Sequence, residues 1–544
     1  MRKKISALFT QITRAIVPSQ DAILFANFLR RTQVKPVRFS RKQTLVALSG
    51  IPSHHVGLSQ ASPIFAQQTQ SKLVGFRTGL SQQQGFGLFV SKLLDQISIL
   101  NKGNNTAIYR AFGVRKVVAP RLSQNIRIQV SRDLEVLRSS VTSLDQLEKA
   151  EIRGSLIGDL IYDQHLLESK KVTPSLDDPN LWLAAERALG LLSFYEQYFN
   201  QNEIAGIFGI NAYLNAIPNR VALSRGIPVF EVGLNIMRVG LPHEPRYSAQ
   251  FPEEFRMIRR ESLGKELQVA RKYLDDFVSG LPVQPLFGHT FGSFEKLRPA
   301  PNKGKEAPKP TVLVAPHNAF TDSPHALGFC LFPDYGLWLN FLADLAEMTD
   351  FRWLIKAHPD KRDPEVYEAN REWVREFAET HPQFEYITDD TPHGELIARG
   401  IDVVLTVSGS IAFEYAACGI PVINACPSNP HAGYNFTLSP ETLEDYEALV
   451  RRIPTEGLRI NRQEVIEFFF MRMFESRKNP FIDDLHEVSR ALGGVFSFES
   501  ERIYDVFIAQ SSSEKIAKAA RGISAFFNSN DLWWYERHAD TSRD

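Results

Sequence analysis

Between residues 311 and 424 short β-rich runs alternate strictly with helical stretches. No other feature of the chain constrains its fold as tightly. Residues 311–315 (TVLVA), 351–356 (FRWLIK), 384–387 (FEYI), 402–407 (DVVLTV) and 420–424 (IPVIN) read as strands. Over 334–348, Leu337, Trp338, Phe341, Leu342 and Leu345 recur at spacings of three and four, the stripe of an amphipathic helix. Asp363 stands as the cap of a second helix, and Pro364 occupies its favoured first position. A third helix ends at Gly400, and a fourth runs from about Ser410 to Cys418 before Gly419 stops it. Strands separated by helices cannot pair as hairpins, so the pattern predicts a parallel sheet with helices on both faces.

The first half repeats this grammar once. Residues 204–208 (IAGIF), a loop, a helix ending near Arg225, then Gly226 and 227–230 (IPVF) mirror 402–424. The expected fold is therefore α/β, with two Rossmann-like domains facing a cleft. The helical segments EVIEFFFMRMFES and EKIAKAARGISAFF near the end are expected to cross back to the first domain. The stretch at 296–310, KLRPAPNKGKEAPKP, is rich in Pro and Lys and reads as an extended linker. The expected organisation is a basic amphipathic segment at 1–20, an N-terminal domain at 21–295, the linker at 296–310, a C-terminal domain at 311–455 and a helical region at 456–544.

Composition excludes several function classes. Lys+Arg and Asp+Glu each total 62 in 544 residues, so the formal charge is zero. A nucleic-acid binder normally shows a basic excess, and no nucleic-acid partner is expected. Cys330, Cys418 and Cys426 form no CxxC pair and cannot build a disulfide framework, which fits a reducing compartment. No apolar run reaches the length of a membrane span. The opening MRKKISALFTQITRAIV places Ile5, Leu8, Phe9, Ile12 and Ile16 at helical spacing beside Arg2, Lys3, Lys4 and Arg14. It suits a surface helix of the first domain and, as a second reading, a helix lying on an anionic bilayer. It lacks the apolar core and cleavage site of a signal peptide.

Ligands of open parallel sheets bind beyond the carboxyl ends of the strands. Behind the first strand of the second half come His317, Asp322 and His325; behind the second come Lys356, His358 and Pro359. Behind the fourth come Ser408, Gly409 and Ser410, with Glu414 one turn on, and behind the fifth comes His431. A helix start carries free N–H groups and partial positive charge, so the 408–410 loop suits a phosphate, although serines there also serve as plain caps. His358 can donate to a phosphate oxygen or stand as a solvated strand end. His317, Asp322 and His325 are metal-ligand types, but their spacing matches no zinc signature, and no metal or other cofactor is expected. Asp159 and Asp163 share a helix face; one of them suits a general base, or a helix cap. Asp389 and Asp390 read as a turn and helix cap.

The run strand-Lys-x-His-Pro, then Thr-x-Ser-Gly-Ser at 406–410, Glu414 and the Cys-Gly-Ile-Pro-Val turn at 418–422 resembles bacterial capsular and surface-polysaccharide glycosyltransferases. That broad group includes polysialyltransferases and teichoic-acid-type glycerophosphotransferases. The segments IGDLIYDQHL at 157–166, NRVAL at 219–223 and PHNAFTDSPH at 316–325 are similar to members acting on surface carbohydrates. The likeness covers 310–425 strongly and 105–230 more faintly. It implies the two-Rossmann (GT-B) fold, with an acceptor domain first and a donor domain second. It implies that Lys356, His358, Pro359, Ser408, Gly409 and Ser410 hold the donor's phosphates without a divalent ion. It places Glu414 near the ribose and Asp159 as the acceptor's base, with His358 also catalytic. The implied partners are a CMP- or UDP-linked sugar and a glycan or lipid-linked glycan acceptor. The inner-membrane surface and polysaccharide export machinery complete the set, with the enzyme cytoplasmic or peripheral on that membrane. Relatives often carry adjacent Ser or Gly-Thr pairs where this chain has Ser-Gly-Ser, so its hydroxyl contacts are expected to differ. A CDP-polyol phosphotransferase, a nucleotide-sugar 2-epimerase and a non-catalytic assembly scaffold are the rival readings.

Overall fold

The computed structural model describes residues 19–32, 39–78, 103–233, 235–258, 264–279, 309–359, 363–453, 460–479, 482 and 500–534. The basic segment expected at 1–20, except Ser19 and Gln20, and all of the 296–310 linker except Lys309 and Pro310 lie outside them.

Two sheets organise the described chain. The first contains β1 (Gln43–Ala47), β2 (Lys72–Phe76), β3 (Lys116–Val118), β6 (Ile204–Phe208), β7 (Val229–Val232) and β8 (Ile236–Val239) in the order β3-β2-β1-β6-β7-β8. All its pairings are parallel except β7 with β8. A short hairpin, β4 (Glu151–Ile152) and β5 (Ser155–Leu156), lies outside it. The second sheet contains β9 (Thr311–Val314), β10 (Arg352–Lys356), β11 (Phe384–Ile387), β12 (Val403–Thr406) and β13 (Val422–Asn424) in the order β11-β10-β9-β12-β13. It is parallel throughout. Both are Rossmann-like sheets, and the fold is the two-domain α/β arrangement that the strand–helix grammar predicts.

Burial explains why the strands of the second sheet are nearly unbroken apolar runs. Val312, Val314, Ile355, Val403 and Leu405 face one core with Trp338 and Leu342. Leu313, Leu354 and Val404 face the other, against Phe413, Phe468 and Phe469. The helix punctuation is as the sequence dictates. Asp334 and Asp363 cap the Tyr335–Glu347 and Pro364–Thr380 helices with their carboxylates. Gly226, Gly400 and Gly419 take positive φ at the turns that close three crossovers.

Two packing arrangements were not legible from the chain order. The Phe251–Ile258 and Gly264–Val278 helices, expected within the first domain, bury Phe251, Phe255, Ala270 and Leu274 in the core of the second. The terminal region divides. The Arg462–Met473 helix joins that same core. The Arg502–Gln510 and Ser513–Asn528 helices pack on the first domain, where Tyr504, Phe507, Ile523 and Phe526 meet Phe25 and Phe230. The expected return crossing is therefore present. Among the described residues no helix is long and apolar enough to cross a membrane.

Gly57 lies inside the Pro52–Gln68 helix, where alanine normally gains about 1 kcal/mol over glycine. Here an added Cβ would fall within the contact radius of the Gly233 carbonyl oxygen. Gly57→Ala is therefore expected to lose about 1–3 kcal/mol in chemical denaturation, not to gain stability.

Candidate functional site

In the second sheet the strand order reverses between β9 and β12, and a crevice opens beyond their carboxyl ends. A cleft of about 540 Å³, partly open to solvent, occupies this place. Each wall is a strand exit. Ala315, Pro316 and His317 follow β9; Lys356 ends β10, and Ala357, His358 and Pro359 follow it. Thr406, Gly409, Ser410, Ile411 and Glu414 come from the end of β12 and the helix behind it. His393 arrives from beyond β11. The structure thus brings together His317, Lys356, His358, Pro359, Gly409, Ser410 and Glu414.

The side chains are held by specific partners. The His317 ring stacks on Tyr335, centroids 5.0 Å apart. Its Nε2 accepts the backbone N–H of Ser408 at 3.1 Å, and its Nδ1 lies 3.4 Å from Asp322. Burial pushes the Asp322 carboxyl upward, but the hydrogen bond and charge of His317, with the charge of His358, outweigh this and hold it below its ordinary pKa. Lys356 is buried, and its Nζ donates to the Asp389 carbonyl at 2.9 Å. The His393 Nδ1 lies 2.8 Å from the Tyr415 hydroxyl. Burial, aided by the Lys356 charge, pushes the His393 pKa well below its ordinary value, so this imidazole is neutral. Burial raises Glu414 to about 7 against a hydrogen bond from Ser410.

The serine loop differs from the expected phosphate seat in two respects. Ser408 does not line the cleft, because its N–H is turned to His317. The Ile411–Ala417 helix spans only seven residues, so its dipole is a small part of the field. Lys356 brings an ammonium group to the cleft lining. Together with the imidazoles it can receive an anionic oxygen, while the Glu414 carboxyl is placed to bond a hydroxyl.

Three expected site residues lie elsewhere. Asp159 is fully buried and ion-paired with Arg220. Burial raises its pKa even against the Arg220 charge, and it presents no oxygen to the cleft. His325 is buried between Asp163 and Glu148 of the first domain. Burial alone would lower its pKa, but the charge and hydrogen bond of Asp163 and the hydrogen bond of Glu148 raise it to about 10. His431 is packed among Phe413, Phe436 and Phe468, and burial lowers it to about 3. Its backbone N–H and ring both meet Asn429, so it is a core residue. Among the described residues no three His, Cys, Asp or Glu side chains gather as metal ligands.

His393 and Thr406 were missed. His393 is found by the same rule that found His358, since it heads the segment behind a strand. The acidic turn before it drew the reading towards a cap. The His393–Arg399 helix has no side-chain cap, and the Asp389 carboxylate accepts from Tyr367 and pairs with Arg371 at 3.2 Å.

The Glu414 shift has a testable sign. The unfolded chain releases this proton near 4.5, whereas the folded state keeps it to about 7. Stability from this group is therefore lost as pH rises from 4.5 to 7 and is flat above. Glu414→Gln should match the unaltered protein near pH 4 and gain on it by pH 8 in denaturation midpoint. An unchanging difference across that range would contradict the buried-acid assignment.

No family model matches the chain, and no curated protein matches it. Among solved structures it is similar to the beta Kdo 2,4 transferase KpsC of Thermosulfurimonas dismutans. That match has 15% identity and a TM-score of 0.31, over 58% of this chain and 93% of that one. It is also similar to the UDP-GlcNAc 2-epimerase of Neisseria meningitidis, at 11% identity and a TM-score of 0.20, over 86% and 100% of the two chains. A glycosyltransferase of Rickettsia africae matches at 10% identity and a TM-score of 0.19, over 90% and 100%. At these levels none of the likenesses identifies a donor, an acceptor or a reaction for this chain.

Proposed function

We propose that the chain is a glycosyltransferase using a nucleotide sugar, whose phosphates sit in the cleft between His358 and the Gly409–Ser410 turn. One observation carries this reading: the exits of β9, β10, β11 and β12 converge on one crevice at the sheet's switch point, bringing Lys356, His358 and Ser410 around the same space. The chemistry follows from the residues. Bond cleavage leaves negative charge on the departing nucleotide. Lys356 and His358 stabilise that charge as it develops, in a partly dry site where such contacts act strongly. Glu414, its carboxyl pushed up to about 7 by burial, bonds a ribose hydroxyl. With Lys356 supplying countercharge and His358 a hydrogen-bond donor, the reading needs no divalent ion, and activity in EDTA tests that point.

The motif resemblance supports the finer reading. It favours an inverting transfer from a CMP- or UDP-linked sugar to a capsular or surface glycan, in the cytoplasm or at the inner face of its membrane. The acceptor enters from the side of the first domain. The buried Asp159–Arg220 pair does not serve as its base. A 2-epimerase would use the same phosphate seat without an acceptor, and product analysis on donor alone separates the two.

Isothermal titration with UDP, CMP and CDP tests the seat. The unaltered protein should bind at least one of them. A charge-assisted hydrogen bond contributes about 1.5–3 kcal/mol, so His358→Ala should weaken binding roughly tenfold to a hundredfold. Its melting temperature should stay close to that of the unaltered protein. Unchanged nucleotide affinity in the variant, or no binding by the unaltered protein, would refute the proposal.

A further inference from the structure

The loop leaving β9 belongs to the cleft at its start and to the first domain in its middle. Pro316 and His317 form a cleft wall. Eight residues past His317, His325 is held from both sides by the other domain. Its Nδ1 is 2.6 Å from Asp163 and its Nε2 3.0 Å from Glu148, and all three side chains are at most 6% exposed. The Ser323 hydroxyl donates to the second Asp163 oxygen. Tyr213 donates to the Thr321 carbonyl at 2.7 Å, and Arg246 to the Ala326 carbonyl. At the loop's end Asp334 accepts from Tyr162 at 2.5 Å and from Thr173 at 2.9 Å, both residues of the first domain. The same Asp334 caps the helix whose first residue, Tyr335, stacks on His317.

We propose that the 317–334 loop is a tie through which the first domain sets one wall of the nucleotide cleft, with His325 as the positioning residue that fixes it. The argument is electrostatic. An imidazole donating from both nitrogens to two carboxylates is an imidazolium, and its removal leaves Asp163 buried without its ion-pair partner and Glu148 with only the exposed Lys149 beside it. The loop therefore has no low-energy position away from the first domain. The second domain holds the same loop, where the Ala319 N–H donates to Asn370 and the Leu331 N–H to the Ala425 carbonyl, so the loop is fixed against both domains at once. With the loop fixed, His317 keeps its place against Ser408 and Tyr335 in the cleft wall. His325 acts on the ligand only through Asp322 and His317. This inference rests on the cleft being the nucleotide seat.

Hydrogen–deuterium exchange combined with titration of UDP and CMP tests it on the full chain. In His325→Gln, exchange across 317–334 should quicken at least tenfold, and nucleotide affinity should fall about tenfold although residue 325 does not line the cleft. In His358→Ala, affinity should fall while exchange in 317–334 stays as in the unaltered protein. Tyr162→Phe, which leaves the His325 ion pairs intact and removes one donor to Asp334, should show the His325→Gln pattern at smaller amplitude and covers the case in which His325→Gln does not fold. Unchanged exchange in a folded variant overturns the tie. Faster exchange with unchanged affinity overturns the positioning role. If the unaltered protein binds neither nucleotide, the seat itself fails and the positioning role with it, while the exchange result still decides the tie.

Discussion

A parallel sheet joined by helical crossovers sends every strand out along the same edge, and one reversal of strand order leaves a crevice there that no helix covers. The rest of this molecule depends on that constraint. In the second sheet the reversal falls between β9 and β12. The strand interiors are mostly apolar because both faces are covered, and the polar residues that meet in the crevice sit at the exits. Residues scattered between positions 317 and 414 therefore become neighbours, without any of them contributing to the core that brought them together.

Two polar centres of opposite character result. The cleft is partly open, and Lys356 and three imidazoles line it. The centre at the domain interface is closed and gathers carboxylates: Glu148 and Asp163 around His325, with Asp159 against Arg220 close by. Charges so deeply buried seldom add stability over an apolar contact, but they penalise misalignment heavily. An interface built this way specifies one relative placement of the parts it joins. The 317–334 loop connects the two centres, with Asp322 and His317 as the links nearest the cleft.

Sequence patterning reveals the second sheet almost residue by residue, because buried strands and capped helices leave strong local signals. Asp363–Pro364, Gly400 and Gly419 each mark an element end where the structure has one. The lining of the cleft was legible where it obeys the strand-exit rule: His317, Lys356, His358, Pro359, Gly409, Ser410 and Glu414. Local sequence does not encode which polar residue faces another domain. His325 and Asp159 look like site residues because they are titratable and near motif positions, yet their partners lie 162 and 61 positions away. His431 misled for a different reason: an imidazole among phenyl rings is indistinguishable, in one dimension, from one facing a ligand. The helices over 251–278 crossed the expected boundary because amphipathic stripes show that a face is buried, but not against which core.

The most direct measurement is a crystal structure with UDP or CMP bound. The account predicts phosphate oxygens within hydrogen-bond distance of His358 and Ser410, and the ribose beside Glu414. A nucleotide seated elsewhere, with this cleft empty or filled only by solvent, would contradict it.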